Sequence, residues 1–185
     1  IDNLTYLPRI GYLPDRELTV PTDRRKQGLD PEWSMPSRDD PANLMTNFIS
    51  DADHITFEAV VSTDAGQTAI APGTLQDQWE QDGRRYFRYR VDAPILNFYA
   101  FLSGRYEVAR AQWNDVDLEV FHHEDHAVNV PRMLESMHAT LDYCTSSFSP
   151  YPYQQLRIVE FPRYRRFAQA FSGTVPFSES SDFIS

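Results

Sequence analysis

Residues 121–126, Phe-His-His-Glu-Asp-His, gather three of the chain's five histidines beside two carboxylates. Imidazoles and carboxylates ligate zinc and act as general acids and bases. The zinc-binding pattern H-E-x-x-H sets two histidines one helical turn apart, so that both reach one metal while the Glu activates water. Here His123-Glu124 is followed by His126, one residue too soon. His122 and His126 have the right separation, but His123 stands where the Glu should be. The run also falls between a strand pattern and a helix pattern, where the histidines do not share consecutive helical turns. It reads as a polar connector whose acids sit favourably before a helix N-terminus, with adventitious metal uptake as its remaining chemistry. His138 lies on a helix flank and His54 opens a strand, and both read as structural. No metal ligand is assigned.

Other reactive side chains lack the context that chemistry requires. Cys144, the only cysteine, lies on the apolar stripe of a predicted helix, and a buried thiol is a poor nucleophile. It excludes an intrachain disulfide and a Cys-based zinc knuckle. Ser149, Ser172 and Ser178 have no Gly-x-Ser-x-Gly elbow around them. The seven glycines are scattered and form no phosphate loop. No catalytic residue is assigned. "RRYFRYR" (84–90) interleaves bases with aromatics, as single-strand nucleic-acid binders do. Its alternation equally suits an amphipathic strand with Phe87, Tyr89 and Val91 on one face. The net charge of -10 repels phosphate, so no nucleic-acid partner is expected.

The elements that must position these groups follow from periodicity. With 41% hydrophobic residues in 185, the chain can bury a real core. Residues 1–50 carry many prolines and poor periodicity and read as an irregular arm, with a short helical turn near 21–28. Residues 51–112 read as an antiparallel, sandwich-like sheet. Ile55, Phe57, Ala59 and Val61 alternate with polar partners. Asp82-Gly83 is a two-residue hairpin signal. Gly104 marks a bend in a further apolar strand pair. From 113 the pattern becomes strand–helix–strand. Val116, Leu118, Val120 and His122 face inward, with Asp115, Asp117 and Glu119 outward. Asn129 and Pro131 then open a helix. Its stripe is Val130, Met133, Leu134, Met137, Leu141, Cys144 and Phe148. This stripe is expected to pack on a sheet formed by 115–121 and 156–161. "TVPFSES" reads as an edge strand because Pro176 cannot donate to a ladder. The fold class expected is mainly β, with an α+β extension. No run reaches the ~18 apolar residues of a spanning helix.

"LNFYAFLSGRYEV", followed by "DVDLEVF" and the helix to "FSPYPYQQLRIVEFP", resembles the zinc aminopeptidases of the aminopeptidase N family. The resemblance is strongest over 51–185. "GYLPDREL", "RRKQGL", "TAIAPG" and "FAQAFSGTVPFSES" are similar to bacterial members fused to a transporter-like membrane region. It implies that 51–112 ends an N-terminal β domain and that 113–185 begins a catalytic domain, cut before the zinc motif. Ile1 is not an initiator Met, and the chain is accordingly expected to be a piece of a larger protein. Zinc is expected in that parent if its downstream motif is intact, and no cofactor in this piece.

The family's G-x-M-E-N strand, whose Glu binds the substrate amine, corresponds to Ala168–Gly173. This makes Gln169, Ala170, Phe171, Ser172 and Gly173 the candidate substrate-binding residues. The Glu is absent there, and neutral Gln169 cannot hold an ammonium as a carboxylate would. The resemblance thus implies an inactive fragment of a metallopeptidase-like, membrane-associated protein that supplies a substrate-side wall and an edge strand. Its partners would be the rest of the catalytic domain, a peptide and, through exposed surface, another copy. The parent would be a bacterial inner-membrane protein with this part soluble. The alternative is a non-catalytic interaction scaffold of a transporter-associated protein.

Overall fold

The computed structural model describes residues 2–8, 18, 20–30, 39, 54–164 and 166–179. It separates into two compact units, Leu7–Ala52 and Ile1–Tyr6 with Asp53–Ser185. In the first, the helical turn expected near 21–28 is present. Pro21 occupies its first turn, and Lys26 pairs with Asp23 at 3.0 Å. The guanidinium of Arg24 donates to the carbonyls of Leu18 and Asp30. Most other residues of the predicted arm lie outside the described ones.

The second unit carries the β-rich fold expected from sequence. A helical turn, α1 (Asn3–Tyr6), precedes its sheets. Asn3 is buried and tied to the later chain. Its N–H donates to the Tyr99 carbonyl at 2.9 Å, and its Oδ1 accepts from the Tyr99 N–H at 3.0 Å. The start of the predicted arm is therefore stitched to a segment almost a hundred residues away.

Strands β1 (His54–Ile55), β2 (Glu58–Asp64), β3 (Thr68–Ile70), β4 (Thr74–Gln81), β5 (Arg84–Arg90), β6 (Ile95–Leu96) and β7 (Leu102–Gly104) form three small antiparallel sheets. Their orders are β2-β5-β4, β1-β6 and β3-β7. Asp82 and Gly83 turn the β4–β5 hairpin with φ of 49° and 73°. Positive φ at both central residues matches the right-handed twist of the strands it joins. Phe87 and Tyr89 are buried on the inward face of β5 against Ala69, Ala71, Phe57 and Val61, as alternation predicts.

Strands β8 (Glu107–Trp113), β9 (Val116–His122), β10 (Gln155–Phe161) and β11 (Thr174–Ser178) make a four-stranded mixed sheet of order β11-β10-β9-β8. β8 and β9 are antiparallel, and the other two pairings are parallel. The division expected at 112/113 falls inside β8, one residue before its end, so this sheet takes strands from both sides of it. The helical turn Pro21–Lys26 is α2, and α3 (Val130–Ser147) is the crossover between β9 and β10. Its Val130, Met137 and Leu141 pack on Val116, Leu118, Val120, Leu156 and Ile158. The predicted helix-on-sheet packing is therefore present.

Several local expectations are corrected. Asn129 sits at the helix N-cap, but its side chain makes no cap bond. A 3-10 turn over Glu124–Asn129 runs directly into α3 and sets Asn129 in helical geometry. Cys144 is exposed and Phe148 is 76% exposed. The stripe continues along α3, but its buried residues are Val130, Met137 and Leu141, and none beyond Leu141 joins the core shared with the sheet. Glu119 is not a solvent-facing strand residue. It turns toward the β3–β5 side and accepts from Arg157 Nε at 2.8 Å. Arg157, 2% exposed, also donates to the Ala71 carbonyl and lies 5.3 Å from the Tyr89 ring centroid. One buried cation thus links the mixed sheet to the strands before it.

Candidate functional site

The stretch 166–179 builds a compact hairpin on the outer side of β11. Gln169 N–H donates to the Pro176 carbonyl, and Ser178 N–H donates to the Phe167 carbonyl. Phe171 and Thr174 exchange both backbone bonds, at 2.8 and 3.1 Å. Pro176, with no N–H, keeps one of the two bonds of this pair: its carbonyl accepts from Gln169, and the reciprocal donation is forgone. β11 is the last strand of the sheet order, as expected, but residues 167–171 take its outer edge. Antiparallel alternation then turns the backbone groups of Ala168 and Ala170 away from β11. Any added strand would pair with those residues and not with β11.

Ser172 and Gly173 form the turn. Gly173 has φ of 66°, and a Cβ there would lie 2.4 Å from Gln155 Nε2, whose residue is 3% exposed. Both the left-handed backbone and the close approach require glycine. Gln169 side-chain Nε2 donates to the Ala170 carbonyl at 3.1 Å. Of the five residues singled out from sequence, Gln169 and Phe171 line a pocket of about 360 Å³. Ala170 is exposed beside it, and Ser172 and Gly173 hold the turn.

The pocket walls are aromatic. Phe98 lies 4.7 Å from Phe171 between ring centroids, and Phe161 lies 5.0 Å from Phe167 and 5.6 Å from Tyr164. Asp2 also lines it, and its carboxylate accepts from the Thr5 N–H and hydroxyl. Phe98 and Asp2 carried no local signal. They reach the pocket because the Asn3–Tyr99 bonds and an Asp2–Ala100 bridge bring distant segments together. Such a concave, mostly apolar site with few polar groups suits a side chain or other small apolar body.

The histidine run lies elsewhere, at the C-terminal end of β9. His122 is buried, its Nδ1 2.8 Å from the His123 carbonyl. His123 N–H donates to Glu160 Oε2 at 2.7 Å, and His126 Nδ1 lies 2.5 Å from Glu160 Oε1. The connector is thus fastened to β10 through a buried carboxylate. Glu124 and Asp125 do sit in the first turn of the 3-10 segment. His54 is exposed at the start of β1, and His138 is half-buried on α3. Beyond the hairpin, the Arg163 backbone N–H, helped by its guanidinium, holds the Glu179 carboxyl below its ordinary range.

No family model matches the chain, and no curated protein matches it. Solved structures do match its fold. The M1 zinc metallopeptidase from Deinococcus radiodurans aligns with a TM-score of 0.61 at 19% identity, over 71% of this chain and 32% of that one. A mutant of the D. radiodurans enzyme bound to a Tyr-Ser-Ala substrate gives 0.61 at 20%, with the same coverages. A two-domain M1 zinc metallopeptidase mutant bound to L-arginine gives 0.61 at 18%. The fold is that of part of an M1 zinc metallopeptidase, and the chain spans about a third of the length of these enzymes.

Proposed function

We propose that this chain is the substrate-side portion of a zinc-dependent, aminopeptidase-like protein and is not itself catalytic. The observation that carries the reading is the turned-back segment 167–171 standing beside an aromatic pocket. A peptide strand can pair with the outward backbone groups of Ala168 and Ala170 while one side chain enters the pocket against Phe171 and Phe98. The M1 fold supports it. The chain holds no H-E-x-x-H sequence, so its residues do not fit the family's catalytic zinc, and no step of the reaction is assigned to them. Zinc chemistry, the remaining catalytic domain and any membrane region belong to the parent protein. Among the described residues, no helix is long and apolar enough to cross a membrane.

Titration of the purified chain with a short peptide bearing an aromatic N-terminal residue tests this. Binding should weaken on Phe171→Ala. It should also weaken on Ala170→Pro, which removes one outward N–H worth about 1 kcal/mol and leaves the β11 pairing intact. Unchanged affinity in both variants would sink the reading. The chain alone should hydrolyse aminoacyl-anilides no faster than chelator-treated controls.

A second reading, a non-catalytic interaction scaffold, is favoured by one observation: residues 168–173 contain no carboxylate to hold a peptide amine. The reading frame beyond Ser185 separates the two. An intact H-E-x-x-H with a Glu about one helix later supports catalysis in the parent, and a degenerate one supports the scaffold.

A further inference from the structure

We propose that His126, Glu160 and Glu179 form a binding site for a divalent transition metal of the zinc type, separate from any catalytic zinc of the parent. One ligand atom from each lies within 4.8 Å of the others. They come from the 3-10 turn after β9, from β10, and from the end of β11, so the sheet itself holds the set together. Glu160 is 4% exposed and Glu179 is 17%, whereas His126, at 40%, leaves one side open to an entering ion. Imidazole with two carboxylates is a donor set that zinc accepts, with water in the fourth position.

The charges around the cluster favour a cation. Two carboxylates converge there, and the Arg163 guanidinium that pairs with Glu179 is 70% exposed. The tight His126–Glu160 contact is where a proton now bridges two potential ligands. A metal would replace that proton, because its ligands must be deprotonated. Both carboxylates are already oriented from outside: the His123 N–H fixes Glu160 Oε2, and the Arg163 N–H fixes Glu179 Oε1. Such outer partners orient ligands in metal sites.

A separate observation points the same way. His123 Nε2 is a buried nitrogen with no hydrogen-bond partner. Its ring centroid is 6.0 Å from that of His126. Hydration of a metal at His126 would bring polar partners into this neighbourhood, where His123 Nε2 has none among the described residues.

The test is a competition titration of the whole chain with Zn²⁺ against a chromophoric chelator, with thermal denaturation run in parallel. One saturable equivalent is expected, with a rise in melting temperature. Losing an outer partner alone costs about 10–100-fold in metal affinity, so His126→Ala should weaken binding by on the order of 100-fold. His126 is half-exposed, so this variant should fold. Glu160→Gln should do the same, and circular dichroism confirms its fold. Arg163→Gln should tighten binding, since it removes the competing cation while the backbone N–H stays. Binding equal in wild type and His126→Ala would overturn the site and leave an ordinary ion pair with adventitious zinc elsewhere. Unchanged affinity in Arg163→Gln would also count against it.

Discussion

Arg157 shows how much one side chain can carry. Its guanidinium is buried against Glu119, the Ala71 carbonyl and the Tyr89 ring. Removing one partner of a buried pair leaves an uncompensated charge, which costs about 3–5 kcal/mol. Arg157→Ala should therefore lower the urea midpoint sharply. Arg110→Ala, which breaks the exposed contact to the same Glu119, should cost less than about 1 kcal/mol. Two phenols, Tyr89 buried and Tyr106 half-buried, add a pH dependence. Burial pushes Tyr89 and Tyr106 up to about 12 from the usual 10.0. Below pH 10 both states keep the proton, and stability is unaffected. Between pH 10 and about 12 the unfolded chain releases it first, so stability should fall as pH rises. Denaturant midpoints taken across that range, with tyrosinate absorbance, check this.

Helix α3 separates what an element's pattern specifies from what its neighbours use. Its stripe is regular from Val130 to Phe148, but only Val130, Met137 and Leu141 of it are buried in the core. Leu141→Ala should cost about 2–5 kcal/mol through the cavity it leaves, whereas Phe148→Ser should be within about 0.5 kcal/mol of wild type. Equal losses would mean that the last turn is covered. Cys144, exposed on that turn, should react with a thiol reagent in the native protein without unfolding. The strands teach the complementary lesson. Alternation placed the faces of β2, β5 and β9 correctly up to Glu119, whose outward assignment failed because the mixed sheet is covered on both sides. A pattern of period two cannot report a second covering layer when the residue facing it is charged.

The molecule as a whole joins small antiparallel sheets to a mixed sheet through Arg157 and through clusters such as Ile70, Phe121 and Val159. This arrangement corresponds to about a third of an M1 metallopeptidase. The aromatic pocket arises where the opening residues, the segment before β7 and the 166–179 hairpin meet. If the chain alone hydrolysed aminoacyl-anilides at a rate that a chelator abolished, the division of labour proposed for the parent would be wrong.

Helix and strand periods are local, and the sequence by itself determined them: the β4–β5 hairpin, the inward faces of β5 and β9, the crossover helix and its contact with the sheet. The spacing in the histidine run likewise excluded a helical zinc motif without any coordinates. Tertiary structure alone decided that Phe98 faces Phe171, that Asp2 lines their pocket, and that His126 meets Glu160 from 34 residues away. Parallel β9–β10 pairing brings His126 to Glu160, and the Asp2–Ala100 bridge brings Asp2 beside Phe98; no short-range spacing encodes either. Only the folded sheet could show that the outer edge of β11 is already taken by the chain's own residues 167–171.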